Sequence, residues 1–374
     1  MRILCLFKRR YMSKDVLSDR YARLYELPLE LARRGHEVHG ICLNYRGAGR
    51  DFVTSDERCE GRLTWASYDL GPLLLPGLAA WRRGVRAAIE CFAPTFLLGG
   101  SDSPHVAATH RFAREAGLPF AIDLFDNFAS FGLSRLPGLE GAYRAALGAA
   151  DAITCVSEPL SRMVSSEYAP RGAVMTLEST INRALFRPRD RAACRAALGL
   201  PRNARLIGTA GALDAGRGID TLYTAFARLR ARDSNLHLVL AGATHDGTPL
   251  PTTTGVLHLG TLEHARVAEL FSALDVALVC LRDTAFGRYA FPQKAYEIIA
   301  CGTPVVAARV GALAPLLADT PHALYEPDDV DELCRCLTAQ LEQPTPCAVE
   351  PPDWASQAAR LEALLGGVLT RRAA

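Results

Sequence analysis

Short apolar runs alternate with stretches in which apolar residues recur every three or four positions, and this alternation persists along almost the whole chain. Arg2–Phe7 reads as a strand, Arg20–Arg34 as an amphipathic helix and Glu37–Leu43 as the next strand. Phe96–Leu98, Phe120–Leu124 and Ala152–Val156 continue the strands, with helical stretches Val106–Ala116 and Tyr143–Ala149 between them. Connections this long require parallel strands joined by right-handed crossovers, so the first half predicts a doubly wound α/β sheet.

The pattern then restarts. Arg205–Ala210, Leu236–Ala241, Val256–Leu259, Val276–Cys280 and Pro304–Ala308 read as strands. Asp220–Arg232, Arg266–Ala273 and Pro292–Cys301 read as helices. Two Rossmann-like domains follow, 1–182 and 183–345, hinged near Arg187-Pro188-Arg189-Asp190. Residues 346–374 form a linker and a last amphipathic helix, Trp354–Thr370. Ligands of open α/β sheets bind beyond the carboxyl ends of the strands, so two such domains facing across a cleft suit two substrates.

Composition narrows the class. The chain has 374 residues, 49% hydrophobic and 22% charged, which fits a folded two-domain protein. A net charge of +2 gives no general attraction for nucleic acid. Several of its eleven cysteines (Cys5, Cys42, Cys155, Cys280) lie in apolar runs and no paired CxxC pattern exists, which implies reduced thiols and a cytoplasmic setting. The N-terminus starts directly as a strand, and no run of about 20 apolar residues exists to span a bilayer. The stretch from Leu70 to Arg83 is apolar and then basic. It suits either peripheral contact with an anionic membrane, at the inner face of the cytoplasmic membrane, or a loop and helix covering the core.

Candidate chemistry concentrates in the second half. A helix opening at Phe291-Pro292-Gln293-Lys294 offers free N–H groups and a partial positive charge to an anion. Lys294 lies in its first turn and Glu297 three residues on, which suits a diphosphate and a ribose; a plain surface Lys–Glu pair is the alternative. The run Ile207–Leu222 passes from strand through glycine-rich loop to helix, with Gly211 able to approach a phosphate and Arg217 near the helix start. Its glycine spacing fits neither GxGxxG nor Walker A, and a tight strand-to-helix turn is the alternative.

These two features, their separation and the intervening strand Leu278–Leu281 resemble the retaining family-4 (group 1) glycosyltransferases of the GT-B fold. The matching stretches are GALDAGRGIDTL, LHLVLAG, VLHLGTLEHARVAELFSALDVALVCL and FPQKAYEIIACGTPVVAARVGALAPLL, with LPLELARRGHEV, ADAITCVSEPLSRMV, INRALFRP and DWASQAARLEALL elsewhere. The resemblance implies a nucleotide-diphosphate sugar donor, a hexosyl or related group transferred with retention, and a glycan or lipid-linked acceptor. It implies no metal and no cofactor, and a closing helix that crosses back to the first domain. Glu297 matches the glutamate that binds the donor ribose, and Arg217 stands where a lysine usually meets the diphosphate. Leu262, Phe286 and Gly287 fall in donor-binding stretches. Two positions depart from the pattern: Ala212 replaces an arginine, and Tyr289 replaces the first glutamate of the E-x7-E pair, which normally contacts the sugar. Lys294 is placed to supply the missing charge.

In the first half, Gly99–His105 and Asp123–Asn127 follow strands. Asp102, His105 and Asp126 are the candidate catalytic residues, with Ser101, Asn127 and Arg20 of the loop Met12–Arg20 beside the acceptor. Helix capping by Ser101 or Asp102 and turn formation by Asp126-Asn127 compete with that reading. Asp329-Val-Asp331 reads as a helix cap rather than a metal motif. Two other classes stay open: a GT-B-like scaffold that binds a nucleotide or partner without catalysis, and a sugar-nucleotide epimerase of the same fold.

Overall fold

The computed structural model describes residues 1–11, 14–46, 53–130, 136–244 and 247–373. Met12 and Ser13, part of the candidate acceptor loop, lie outside the described residues. The chain divides into two units: Met1–Ser179 together with the helix Trp354–Ala373, and Thr180–Asp353.

The first unit carries strands β1 (Arg2–Lys8), β2 (Arg10–Tyr11), β3 (Lys14–Asp15), β4 (Glu37–Asn44), β5 (Val53–Arg58), β6 (Arg62–Asp69), β7 (Phe96–Gly100), β8 (Phe120–Leu124), β9 (Ala152–Cys155) and β10 (Ala173–Thr176). Its main sheet has the order β10-β9-β8-β7-β1-β4-β6-β5, and β2 and β3 pair antiparallel apart from it. All neighbours are parallel except β5, which runs antiparallel to β6 at the edge. β1 sits inside the sheet and buries Ile3 to Phe7 on both faces, which is why its sequence is a continuous apolar run. Gly40 pairs with Trp65 across β4 and β6, and a Cβ there would meet the indole ring at 2.1 Å. Only glycine leaves room for that buried ring.

The last helix belongs to this unit. Trp354, Ala358, Leu361 and Leu365 join the core that contains Leu24, Leu27 and Leu31 of the helix Arg23–Arg33. Glu362 anchors it further, accepting from Arg34 at 2.5 Å and lying 2.8 Å from His36 Nε2.

The second unit is a six-stranded, wholly parallel sheet of β11 (Arg205–Ala210), β12 (Leu236–Ala241), β13 (Val256–His258), β14 (Val276–Val279), β15 (Val305–Ala308) and β16 (Leu324–Tyr325). The order β13-β12-β11-β14-β15-β16 means the chain winds outward to one side and then returns to wind to the other. β11 and β14 are therefore neighbours at the switch point, where Ile207 pairs with Val276, and the loops following both strands lie side by side.

Several elements differ from the sequence expectation. β5 and β10 were not anticipated, because one is a polar edge strand and the other only half buried. β6 was also missed, since its apolar residues alternate with polar ones over only eight positions. The first helix starts at Arg23 rather than Arg20, because Arg20 and Ala22 adopt φ 47° and 58°, in the left-handed region that cannot continue a right-handed helix. The apolar stretch after Leu70 ends in a helix, Leu75–Phe92, that buries Trp81 and Val85 but leaves Leu73, Leu74 and Leu75 77%, 55% and 75% exposed. Among the described residues no helix is long and apolar enough to cross a membrane.

Candidate active site

The loop after β11 is built by close backbone packing. Gly211 has φ 116° and Gly242, after β12, has φ 138°; a Cβ on Gly242 would stand 1.8 Å from the Gly211 carbonyl oxygen. Two glycines thus let adjacent strand ends approach each other. Beyond Gly211, Asp214 caps a single 3₁₀ turn, Ala215–Arg217, by accepting from the Gly216 N–H at 2.9 Å. Gly218 at φ 81° then starts the helix Ile219–Arg230. Arg282, from the neighbouring loop after β14, staples this arrangement. Its Nε donates to the Ala215 carbonyl at 2.7 Å, its Nη2 to both oxygens of Asp220 at 2.9 and 2.6 Å, and its Nη1 lies 3.0 Å from Asp328.

Two cations are left over at this point. The Lys294 ammonium lies against Gly211, and Arg217 lies over the Phe286 ring with its guanidinium carbon 5.0 Å from the centroid. Neither has a hydrogen-bonded or ion-paired acid among the described residues. Burial pushes the Lys294 pKa below the ordinary lysine value and Arg217 adds repulsion, against the weaker pull of Cys280 and Glu297. Burial also pushes the Cys280 thiol up to about 11, so it supplies no negative charge near neutral pH. Two half-buried like charges without a counterion are unfavourable until an anion arrives. The Ala212 N–H, next along the chain from Gly211, has no backbone partner among the described residues and adds a donor.

Lys294 does not pair with Glu297. Oε1 of Glu297 instead accepts from His264 Nε2 at 3.0 Å and from Gln293 Nε2 at 3.1 Å, and the glutamate is 5% exposed. The surface-pair alternative is thereby excluded. The helix also begins later than expected, spanning Lys294–Ala300. The Ala295 N–H bonds the Pro292 carbonyl in an i to i+3 turn, and Gln293 offers no capping side chain, so regular helix geometry starts only at Lys294. The positive charge at this point therefore comes from side-chain cations beside the glycine loop rather than from this short helix.

The other donor-side candidates divide. Phe286 carries Arg217 on its ring, and Leu262 packs half-buried against the unit's core between β13 and the helix His264–Ala273. Gly287 is corrected: its N–H is engaged by the Thr284 hydroxyl that caps the short helix Ala285–Tyr289, and a Cβ there would lie 2.0 Å from the Arg282 carbonyl oxygen. It serves close packing and offers no free donor. Tyr289 ends that helix and is half-buried. His264 and Arg282 were missed, since a histidine after a loop and an arginine after a strand carry no spacing signal.

In the first unit, β1 and β7 are neighbours at the corresponding switch, and the Ser101 hydroxyl accepts from the Lys8 N–H at 2.8 Å. Asp102 caps the helix Ser103–Ala116, accepting from the His105 N–H at 3.0 Å. His105 Nδ1 lies 2.7 Å from Asp102 Oδ1, and the Tyr45 hydroxyl donates to Asp102 Oδ2 at 2.9 Å. Burial opposes ionisation of Asp102, but His105 and these bonds outweigh it and hold the carboxyl below its ordinary value.

His105 is 1% exposed, its ring lies edge-on to Trp81, and its Nε2 has no partner among the described residues. As placed, it cannot take a proton from an acceptor, which corrects that expectation; Asp102 likewise performs the capping role. Asp126 is half-buried, and its Oδ1 accepts from the Asn127 N–H at 2.8 Å. Lys8 completes the cluster, with its ammonium 5.7 Å from the Phe125 ring centroid and its pKa lowered by burial against the pull of Asp102 and Asp126. Arg20 is elsewhere engaged, 3.3 Å from Glu57 and over the Tyr25 ring.

Residues 204–343 match the family described as glycosyl transferases group 1, and residues 22–178 match a glycosyl transferase 4-like domain. Similar proteins include D-inositol 3-phosphate glycosyltransferase 2 of Catenulispora acidiphila, 31% identical over 197 residues that cover 47% of this chain and 45% of the relative. The D-inositol 3-phosphate glycosyltransferase of Stackebrandtia nassauensis is 30% identical over 262 residues, 66% of this chain and 53% of the relative. The chain thus spans about half the length of these curated relatives. Among solved structures, sucrose-phosphate synthase from Thermosynechococcus elongatus superposes with TM-score 0.74 at 18% identity, covering 100% of this chain and 99% of that one. Anabaena HepE in complex with UDP gives TM-score 0.67 at 16% identity, covering 100% and 98%. These likenesses establish a shared fold.

Proposed function

Because the chain belongs to the group 1 glycosyltransferases of the GT-B fold, we propose that it moves a sugar from a nucleoside-diphosphate sugar to an acceptor hydroxyl, with retention at the anomeric carbon. The observation that carries this reading is the pair of uncompensated cations, Lys294 and Arg217, beside the Gly211 loop at the switch point of the second unit. As the bond from sugar to diphosphate breaks, negative charge grows on the leaving phosphate. The Lys294 ammonium, the Arg217 guanidinium and the Ala212 N–H are disposed to stabilise it, without recourse to a metal. Glu297 takes the ribose. The likeness to family-4 enzymes supports retention, and the UDP and UDP-glucose held by HepE make UDP-sugars the first donors to test.

On the acceptor side, Asp126 and Asn127 orient the hydroxyl, while Asp102, His105 and Tyr45 form a separate bonded cluster at the start of the helix Ser103–Ala116. The acceptor is a glycan or lipid-linked sugar handled at the inner face of the cytoplasmic membrane, in polysaccharide, lipopolysaccharide or glycolipid assembly. The exposed leucines 73 to 75 favour that setting. The decisive experiment is a thermal-shift panel of UDP-, GDP-, ADP- and CDP-sugars, followed by turnover on the stabilising donor. A donor at 100 times its dissociation constant stabilises by about 2.7 kcal/mol. If no nucleotide sugar shifts the transition, or if Lys294→Ala and Glu297→Ala turn over the verified donor normally, the proposal is wrong.

A further inference from the structure

Glu297 is a buried carboxylate whose two oxygens have different surroundings. Oε1 receives both His264 Nε2, at 3.0 Å, and Gln293 Nε2, at 3.1 Å. Among the described residues nothing donates to Oε2. A carboxylate oxygen offers about two lone-pair directions, so the two donors saturate Oε1 and fix the plane of the group. His264 is itself held: it opens the helix His264–Ala273, and its ring meets the buried Phe186 ring edge-on at 4.8 Å. Gln293 is 9% exposed and so equally confined.

From this arrangement we infer that His264 is a positioning residue for nucleotide recognition: together with Gln293 it holds Oε1 of Glu297 so that Oε2 is presented to a ribose hydroxyl. The inference rests on the donor-site reading above, in which Lys294 marks the diphosphate and Glu297 follows it by three residues. Without the imidazole, the carboxylate keeps its charge but can turn about its last side-chain bond, and the hydroxyl loses a preorganised acceptor. A merely structural tie between two helices would lower stability when broken but would not change which nucleotides bind. The two cases therefore separate by ligand preference rather than by activity.

The test measures dissociation constants by calorimetry for UDP, GDP and ADP and, for the tightest binder, for its 2′,3′-dideoxy counterpart. Inorganic pyrophosphate reports separately on the cation pair. In the unmodified protein the dideoxy analogue binds at least about tenfold more weakly, the effect of losing one charged hydrogen bond. Glu297→Ala brings that ratio close to one. His264→Ala lowers it at least threefold with pyrophosphate affinity unchanged, and His264→Gln, which returns an amide N–H near the position of Nε2, restores it. A normal ratio in His264→Ala, with the ratio abolished in Glu297→Ala, overturns the inference and leaves the ribose assignment standing. A normal ratio in Glu297→Ala, or no binding of any of the three diphosphates, overturns both.

Discussion

The side chain of Lys294 lies directly against the backbone of Gly211, so that a methyl group placed on Gly211 would stand 3.1 Å from Nζ and 3.6 Å from Cε. Gly211 also holds φ 116°, which L side chains rarely adopt. Gly211→Ala therefore strains the loop and displaces the ammonium together. A left-handed conformation costs about 1–2 kcal/mol for a non-glycine residue, and the moved cation adds a loss of nucleotide affinity. Calorimetry on Gly211→Ala should show weaker binding of the donor diphosphate, approaching that of Lys294→Ala. Loss of one charged hydrogen bond is worth roughly 1.5–3 kcal/mol, so Lys294→Ala should slow transfer about 10- to 200-fold.

Lys294 also predicts a pH signature with two opposite slopes. Burial lowers its pKa in the folded protein, so over the window between that lowered value and the ordinary lysine value the unfolded chain holds the extra proton. The Lys294 contribution to the stability of the free protein accordingly rises with pH through that window. Diphosphate binding needs the ammonium and weakens over the same window. Denaturant melts and binding isotherms at stepped alkaline pH check both slopes, and Lys294→Met should flatten both relative to the unmodified protein.

Arg217 is distinguished from a generic cation by the ring beneath it. Arg217→Lys keeps the charge but gives up the planar stacking and the bidentate fork, and should weaken donor affinity by about three- to tenfold. Arg217→Ala should reach the 10- to 200-fold range of a lost charged bond. Phe286→Ala should mimic the lysine variant, since it frees a guanidinium that remains charged. Equal affinity in all three variants would remove Arg217 from the site.

The second unit was more legible in the sequence than the first, and the reason is burial. Strands such as Leu236–Ala241 and Val276–Val279 are buried on both faces and write continuous apolar runs. β5 and β10 are edge strands with polar or half-exposed faces and leave no such trace. Lys294 and Arg217 were candidates because glycines and helix punctuation mark these loop ends and the family resemblance singles them out. His264 and Arg282 were not, because His264 reaches Glu297 across 33 residues and Arg282 reaches Asp220 across 62, through topology alone. His105 was misread for a related reason: its position after a strand suggested access, but Asp102 turns it inward by capping the same helix.

A separate buried network holds Arg23 and Asp123, which are joined by two bonds of 2.7 and 2.6 Å, with Thr154 donating to the same carboxylate at 2.5 Å and Arg23 also reaching the Leu177 carbonyl. Removing one member of a buried, bonded pair strands the other charge. Asp123→Ala should cost about 3–5 kcal/mol in denaturant unfolding. Replacing both residues with apolar ones should cost less than the single change, a comparison a double-mutant cycle makes directly.

Membrane contact is the remaining prediction, and it depends on how the leucines are displayed. Leu73, Leu74 and Leu75 are exposed between two exposed prolines, and Leu74 at φ 56° holds the turn open. Arg82 and Arg83 follow on the exposed side of the helix Leu75–Phe92 with no acidic partner among the described residues, whereas Arg86 is engaged by Glu115 at 3.1 Å. An apolar tip beside free arginines suits a surface of anionic lipid, where each arginine contributes about 1 kcal/mol, or roughly fivefold in affinity. The protein should float with vesicles containing anionic lipid and remain in solution with neutral ones. Converting the three leucines to serine should abolish flotation, while Arg82→Ala with Arg83→Ala should weaken it about 25-fold by that arithmetic and reduce its sensitivity to salt. Turnover of a soluble acceptor should be unchanged in both variants, because neither touches the donor site. Flotation equal on neutral and anionic vesicles would make the arginines irrelevant, and none on either would assign the leucines another role.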